Sequence, residues 1–152
     1  MEFINFLDKA EIEIIKIVEK AGYSIEENIN LCLKDEKYKG FLKNKQKTMV
    51  ICTDNAKRRE RYNDIRMNNI DTFERTARLI KNALRHEAVH VAQECNNGNL
   101  LKIKKKLSMN PAKIEALKGS MEISLVEEKE RQAYILEDKP RLVKNELIKY
   151  CL

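Results

Sequence analysis

The only two histidines in this 152-residue chain, His86 and His90, stand four residues apart, and Glu87 follows the first of them. The stretch Arg85-His86-Glu87-Ala88-Val89-His90 has the spacing HExxH. On a helix, residues four apart lie one turn above each other on the same face, so both imidazoles can reach one metal ion. Glu87 then leans over an open coordination position, where its carboxylate can take a proton from an attacking water. The chemistry implied by this spacing is zinc-assisted hydrolysis.

Two imidazoles need a third protein ligand. The longer pattern HExxHxxGxxH would need glycine at 93 and histidine at 96, and those positions hold Gln93 and Asn96. With no other histidine, the third ligand must be a carboxylate or a cysteine. The stretch 120–138 offers Glu122, Glu127, Glu128, Glu130, Glu137 and Asp138 against only Lys129 and Arg131, an acidic island in a basic chain.

These residues need a rigid helix to hold them. Asp71 reads as its N-cap, with Glu74 three residues on as the capping-box partner. Phe73, Ala77, Ile80, Leu84, Ala88, Val91 and Cys95 form one apolar stripe, and Asn96-Asn97-Gly98 supplies the stop. The histidines lie off that stripe, beside Leu79 and Ala83, with Val89 close by. From Ala83 to Ala92 the helix is apolar on nearly every side, which predicts a central helix buried on two faces.

Around it, apolar spacing predicts a helix over 2–20 stopped by Gly22. Strands are predicted over 28–34, from the alternation of Ile29, Leu31 and Leu33, and over 48–53, rich in β-branched residues. Lys39–Lys47 reads as a connection containing Gly40, and residues 65–67 as a short strand. Asn110-Pro111 opens a helix over 111–118, another covers 120–138, and Pro140 starts the last, with Leu142, Leu147 and Ile148 facing inward. The expected architecture is a single α+β domain over 1–152, a short mixed or antiparallel sheet packed on a central HExxH helix with a helical C-terminal part.

Composition narrows the classes. Hydrophobic residues make up 43%, enough for a core. No apolar run is long enough for a membrane span, so no membrane partner is expected. The four cysteines, Cys32, Cys52, Cys95 and Cys151, show no CxxC spacing and read as reduced thiols. Without a signal-peptide core between Met1 and Lys20, that points to the cytoplasm. The net charge of +6 is uneven: residues 39–61 carry eight cations against Asp54 and Glu60. Such a patch can attract nucleic acid. Only Tyr62 stands beside the 57–61 run, however, so there is no aromatic platform for stacking bases.

The order of motifs resembles the gluzincin-type zinc peptidases. These follow HExxH with a glutamate on a downstream helix, in several families within Glu-x-x-Ala-x. Here Glu130-Arg131-Gln132-Ala133-Tyr134 matches that pattern, and His90-Val91 with Gln93 is similar to the HExxHVxQ variant of small zincin-like domains. The likeness spans roughly residues 72–138. It implies a zincin-like fold with Zn²⁺ on His86, His90 and Glu130, and Ala133 small enough to let the two helices approach. Glu127 and Glu137 stand next as third ligand. Many such families carry Asp or Asn four residues after the glutamate, where this chain has Tyr134. Its hydroxyl faces the same way, and could orient a histidine, hydrogen-bond a developing oxyanion, or simply pack. In zincins a sheet edge binds extended substrate, which the chain order assigns to Thr48–Thr53.

The expected function is a zinc-dependent peptidase acting on peptide or protein substrates, with Glu87 as general base. The alternatives are a non-catalytic zinc-binding module with a regulatory or interaction role, and a basic nucleic-acid-binding protein, which would leave HExxH unexplained.

Overall fold

The computed structural model describes residues 1–66, 69–103 and 124–152. Among them are five α-helices: α1 (Lys9–Lys20), α2 (Thr53–Arg59), α3 (Asn69–Cys95), α4 (Ser124–Leu136) and α5 (Pro140–Cys151). Three short strands, β1 (Ser24–Glu27), β2 (Gly40–Lys43) and β3 (Thr48–Ile51), form one mixed sheet in the order β1-β3-β2. β1 runs parallel to β3, with Ser24 opposite Thr48, and β2 runs antiparallel to it, with Gly40 opposite Ile51. The α+β class and the central helix agree with the sequence.

Alternation along β3 explains why the sheet has two unequal faces. Met49 and Ile51 point into the main core with Phe3, Ile14, Val18, Ile80, Leu84, Leu136 and Leu147. Val50 points the other way, into a small cluster with Cys32, Cys52, Ile29 and Phe41. Every residue of β3 is buried. Thr48–Thr53 is therefore not the sheet edge expected for peptide pairing; β3 is paired on both sides, and the edge strand against α3 is β2.

The remaining differences have local causes. The helix expected over 2–20 splits into a 3-10 turn, Glu2–Phe6, and α1, because Asp8 starts α1 with a capping box in which Glu11 Oε1 accepts the Asp8 backbone N–H at 3.1 Å. The strand expected over 28–34 is instead a 3-10 turn, Asn30–Leu33, that leaves Leu31 and Leu33 exposed. The true strand β1 ends just before it, where Asn28 takes a left-handed φ of 54°. β1 is hidden from sequence reading because two of its four residues are glutamates; Glu27 accepts the N–H groups of Glu2 and Phe3 and the Thr53 hydroxyl. The connection Lys39–Lys47 contains β2, and Lys47, with φ 46°, turns the chain into β3. Residues 65–66 form a turn rather than a strand, and position 67 lies outside the described residues. So does the helix expected over 111–118, and the helix expected over 120–138 is described from Ser124 to Leu136. α3 begins at Asn69, which puts Asp71 in its first turn rather than at the cap. In α5, Val143 and Leu147 are buried, while Ile148 is exposed.

The cysteines overturn the expectation of free thiols. Cys32 is joined to Cys52 and Cys95 to Cys151, with Cα atoms 5.6 and 5.2 Å apart. Separations of 20 and 56 residues leave no local motif, so only folding brings the partners together. The thiol argument for a reducing compartment falls with it. No helix among the described residues is long and apolar enough to cross a membrane.

Candidate metal centre

α3 delivers His86, Glu87 and His90 from its most buried section: every residue from Ala83 to Gln93 is buried except the half-buried His90. α4 packs alongside, and Ala133, with no exposed surface, allows the close approach that brings Glu130 to the histidines. Oε2 of Glu130 lies 3.2 Å from Nε2 of His86, and Oε1 lies 2.7 Å from Nε2 of His90. The three ligand atoms lie within 4.8 Å of one another and could hold a metal ion. Glu127 and Glu137, the alternatives, are not in this group. Glu128 instead approaches Arg131 at the surface, at 3.8 Å.

The donor set fits a small divalent ion. A tetrahedral centre with bonds near 2 Å spaces its ligand atoms roughly 3.3 Å apart; here the Glu130 oxygens lie 3.2 and 2.7 Å from the two Nε2 atoms, and the three ligand atoms fall within 4.8 Å of one another. The buried Nε2 of His90 is out of line for a hydrogen bond despite its 2.7 Å approach to Glu130, so it has no hydrogen-bond partner. A buried polar atom left so is costly unless something else satisfies it.

The other ring nitrogen of His90 is fixed. Gln93 donates through Nε2 to the carbonyl of Lys129 and to Oε1 of Gln132, which leaves its own Oε1 to accept from His90 Nδ1 at 2.8 Å. Gln132 in turn pairs with both backbone groups of Leu101. This chain fixes Nδ1 as a donor and turns Nε2 toward Glu130. The sequence shows Gln93 only as part of the HExxHVxQ likeness, without a role; its position three residues after His90, on the same helix face, is the signal for one. Tyr134 packs its ring edge-on against His86, with centroids 4.6 Å apart.

Electrostatics follow from this packing. Burial pushes the Glu87 carboxyl above the usual carboxylate range; the two histidines oppose that shift and Glu130 adds to it. Burial alone would lower His90, but Glu130, Glu87 and Gln93 outweigh it and push it up to about 9. Burial would likewise raise Glu130, yet the two imidazoles hold it well below the usual range. One carboxylate thus serves two histidines.

Two further residues position the helix. Arg85 is buried and donates to Glu11 on α1 at 2.8 Å, to the Glu137 carbonyl just beyond α4 at 2.6 Å, and to Asn82 at 2.7 Å. It ties α1, α3 and α4 together beside His86. Gly40 lets β2 run against α3: a Cβ there would lie 3.0 Å from the Val50 carbonyl, 3.5 Å from Cγ of Glu87 and 3.6 Å from Cβ of Ala83. The edge strand therefore passes directly by Glu87.

No curated protein and no solved structure matches the chain significantly. A family model described as a domain of unknown function, DUF8637, matches residues 3–152, nearly the whole length, and the chain belongs to that family.

Proposed function

We propose that the protein is a zinc-dependent peptidase of gluzincin-like type. The observation that carries this reading is the His86–His90–Glu130 cluster, with His86 buried and the other two half-buried, and with the buried Glu87 one residue from its first ligand. Two imidazoles and one carboxylate suit zinc among the common divalent ions. When bound, the ion supplies Lewis acidity to polarise a scissile carbonyl and acidify water. Glu87 accepts the proton of the attacking water and returns it to the leaving amine, a task suited to a carboxylate whose affinity for protons burial has raised. Gln93 holds His90 in the required tautomer, and Tyr134 buttresses His86 from the side.

Elemental analysis of purified protein tests the first half: one zinc per chain is expected, lost in His86→Ala and Glu130→Ala. Glu87→Gln is expected to keep the metal and lose hydrolysis of unfolded protein substrates. Protein that binds no zinc, even when dialysed against it, overturns the reading. A second reading has one observation in its favour: the cluster bridges α3 and α4, so a bound ion would also staple the fold as in a non-catalytic zinc module. Tight zinc binding without hydrolysis of any peptide in a broad library selects it.

A further inference from the structure

A basic cavity lies just before the start of β2. The chain segment before β2 and the helix α2 border an open cavity of about 570 Å³ lined by Glu36, Lys37, Lys39, Asn55, Arg58 and Arg59, four cations against one acid, with Glu36, Lys37, Arg58 and Arg59 exposed. It is a held shape rather than a loose surface. Asn55, 2% exposed, reaches the carbonyls of Cys32 and Tyr38 at 2.8 Å each and of Asp35 at 3.3 Å, so one side chain gathers the whole turn. Cys32–Cys52 fastens the same turn to the end of β3. Arg58 donates to Oδ1 of Asn55 at 2.8 Å, which sets its guanidinium at the cavity wall.

Lys39 is the central group. Its ammonium is half-buried and donates to the carbonyls of Glu36 and Lys37 at 3.2 and 3.1 Å, which leaves its third N–H for another acceptor. Burial, and then the like charge of Arg59, push its pKa down, while the carboxylates of Asp35, Glu36 and Glu60 act the other way. The lining itself still holds four cations to one carboxylate, so a further anion there would meet the free N–H of Lys39 and the guanidinium groups of Arg58 and Arg59. Lys39 also directly precedes Gly40, the residue against Glu87. At about 3.3 Å per residue, an extended chain paired along β2 would carry a side chain to the cavity within roughly two residues of the bond near Glu87.

We propose that this cavity receives a carboxylate side chain of an extended peptide substrate lying along β2, making acidic peptides the preferred substrate class. The inference rests on the peptidase reading for its consequence, though not for the binding itself.

The test uses the full zinc-loaded Glu87→Gln protein and isothermal titration with two blocked peptides, one alternating alanine with glutamate and one alternating alanine with glutamine. The glutamate peptide is expected to bind about tenfold more tightly, or about 1.4 kcal/mol. The double substitution Lys39→Gln with Arg59→Gln, checked for an unchanged melting temperature, is expected to abolish that preference. The single Lys39→Arg is expected to keep most of it, and carries the test if the double variant melts early. Equal affinity for the two peptides overturns the proposal. So does a single-stranded oligonucleotide that binds through the same residues with a steep salt dependence while neither peptide binds, since that assigns the cavity to phosphates. Acidic-peptide binding without hydrolysis by the wild-type protein upholds the cavity and removes the peptidase reading. Hydrolysis indifferent to acidic residues does the reverse.

Discussion

The wall of the site carried by α3 and α4 and the wall carried by β2 are held by different means. On the first, His86, His90 and Glu130 come from two helices locked by a polar chain through Gln93 and Gln132 and by Arg85, which reaches the Glu137 carbonyl beyond α4 and pairs with Glu11 on α1. On the second, four residues of strand lie between the main core and a small separate cluster of Cys32, Val50, Cys52, Ile29 and Phe41. The helical wall positions ligand atoms through side-chain hydrogen bonds. The strand wall positions a backbone through the absence of a side chain at Gly40 and a disulfide behind it. A metal centre needs atoms fixed in space, whereas a strand edge needs only to be close and open.

This contrast can be broken first at Arg85. Arg85→Met leaves Glu11, with a side chain only 2% exposed, as a buried charge without its cation, and is expected to cost about 3–5 kcal/mol in urea denaturation. Loss on that scale should loosen α3 against α1 and α4 and weaken zinc retention with it. A cost below about 1 kcal/mol would mean the helical wall does not depend on this pair.

The disulfides come next and separate the walls. By the loop-entropy relation, opening Cys95–Cys151 with a paired serine substitution is expected to cost roughly 4 kcal/mol, and opening Cys32–Cys52 roughly 3 kcal/mol. The sharper expectation is qualitative. Zinc content should survive the loss of Cys32–Cys52, whereas binding of the glutamate peptide should not. Equal effects of both pairs on both readouts would erase the distinction.

Gln93→Ala tests the polar chain alone. Removing the group that orients His90 is expected to weaken zinc binding by about 10–100-fold with little change in fold, measured by competition with a chelating dye. The smallest effect is at Gly40. Gly40→Ala puts a methyl 3.0 Å from the Val50 carbonyl, expected to cost about 1 kcal/mol and to reduce hydrolysis more than zinc content.

The same contrast explains what could be read in advance. The helical wall follows the 3.6-residue period, so HExxH and the second apolar face around Ala83–Ala92 are legible in one dimension, whereas Glu130 with Ala133 stands out from the other acids of 120–138 only through the resemblance to the Glu-x-x-Ala-x pattern. The roles of Arg85 and of Gln93, the latter visible only as part of the HExxHVxQ likeness, are not legible until their partners, 74 and 39 residues away, are in place. The strand wall has no such period. β1 is half glutamate, β2 begins at a glycine, and Ile29, Leu31 and Leu33 alternate like a strand while forming a 3-10 turn. Their pairing is decided by β3, the one strand whose β-branched run was evident, and by contacts made only once the chain has folded. The cysteine pairs, expected as free thiols, are likewise set by contacts made only on folding.

The two disulfides also define rings in the chain. One ring, from Cys32 to Cys52, contains Lys39, Gly40 and all of β2; the other, from Cys95 to Cys151, contains Glu130, Gln132 and Tyr134. His86, Glu87 and His90 belong to neither, yet sit between them on the connecting helix. A single cut of the backbone inside either ring therefore releases no fragment: the third ligand stays tethered to the helix that bears the other two, and the two pieces separate only after reduction.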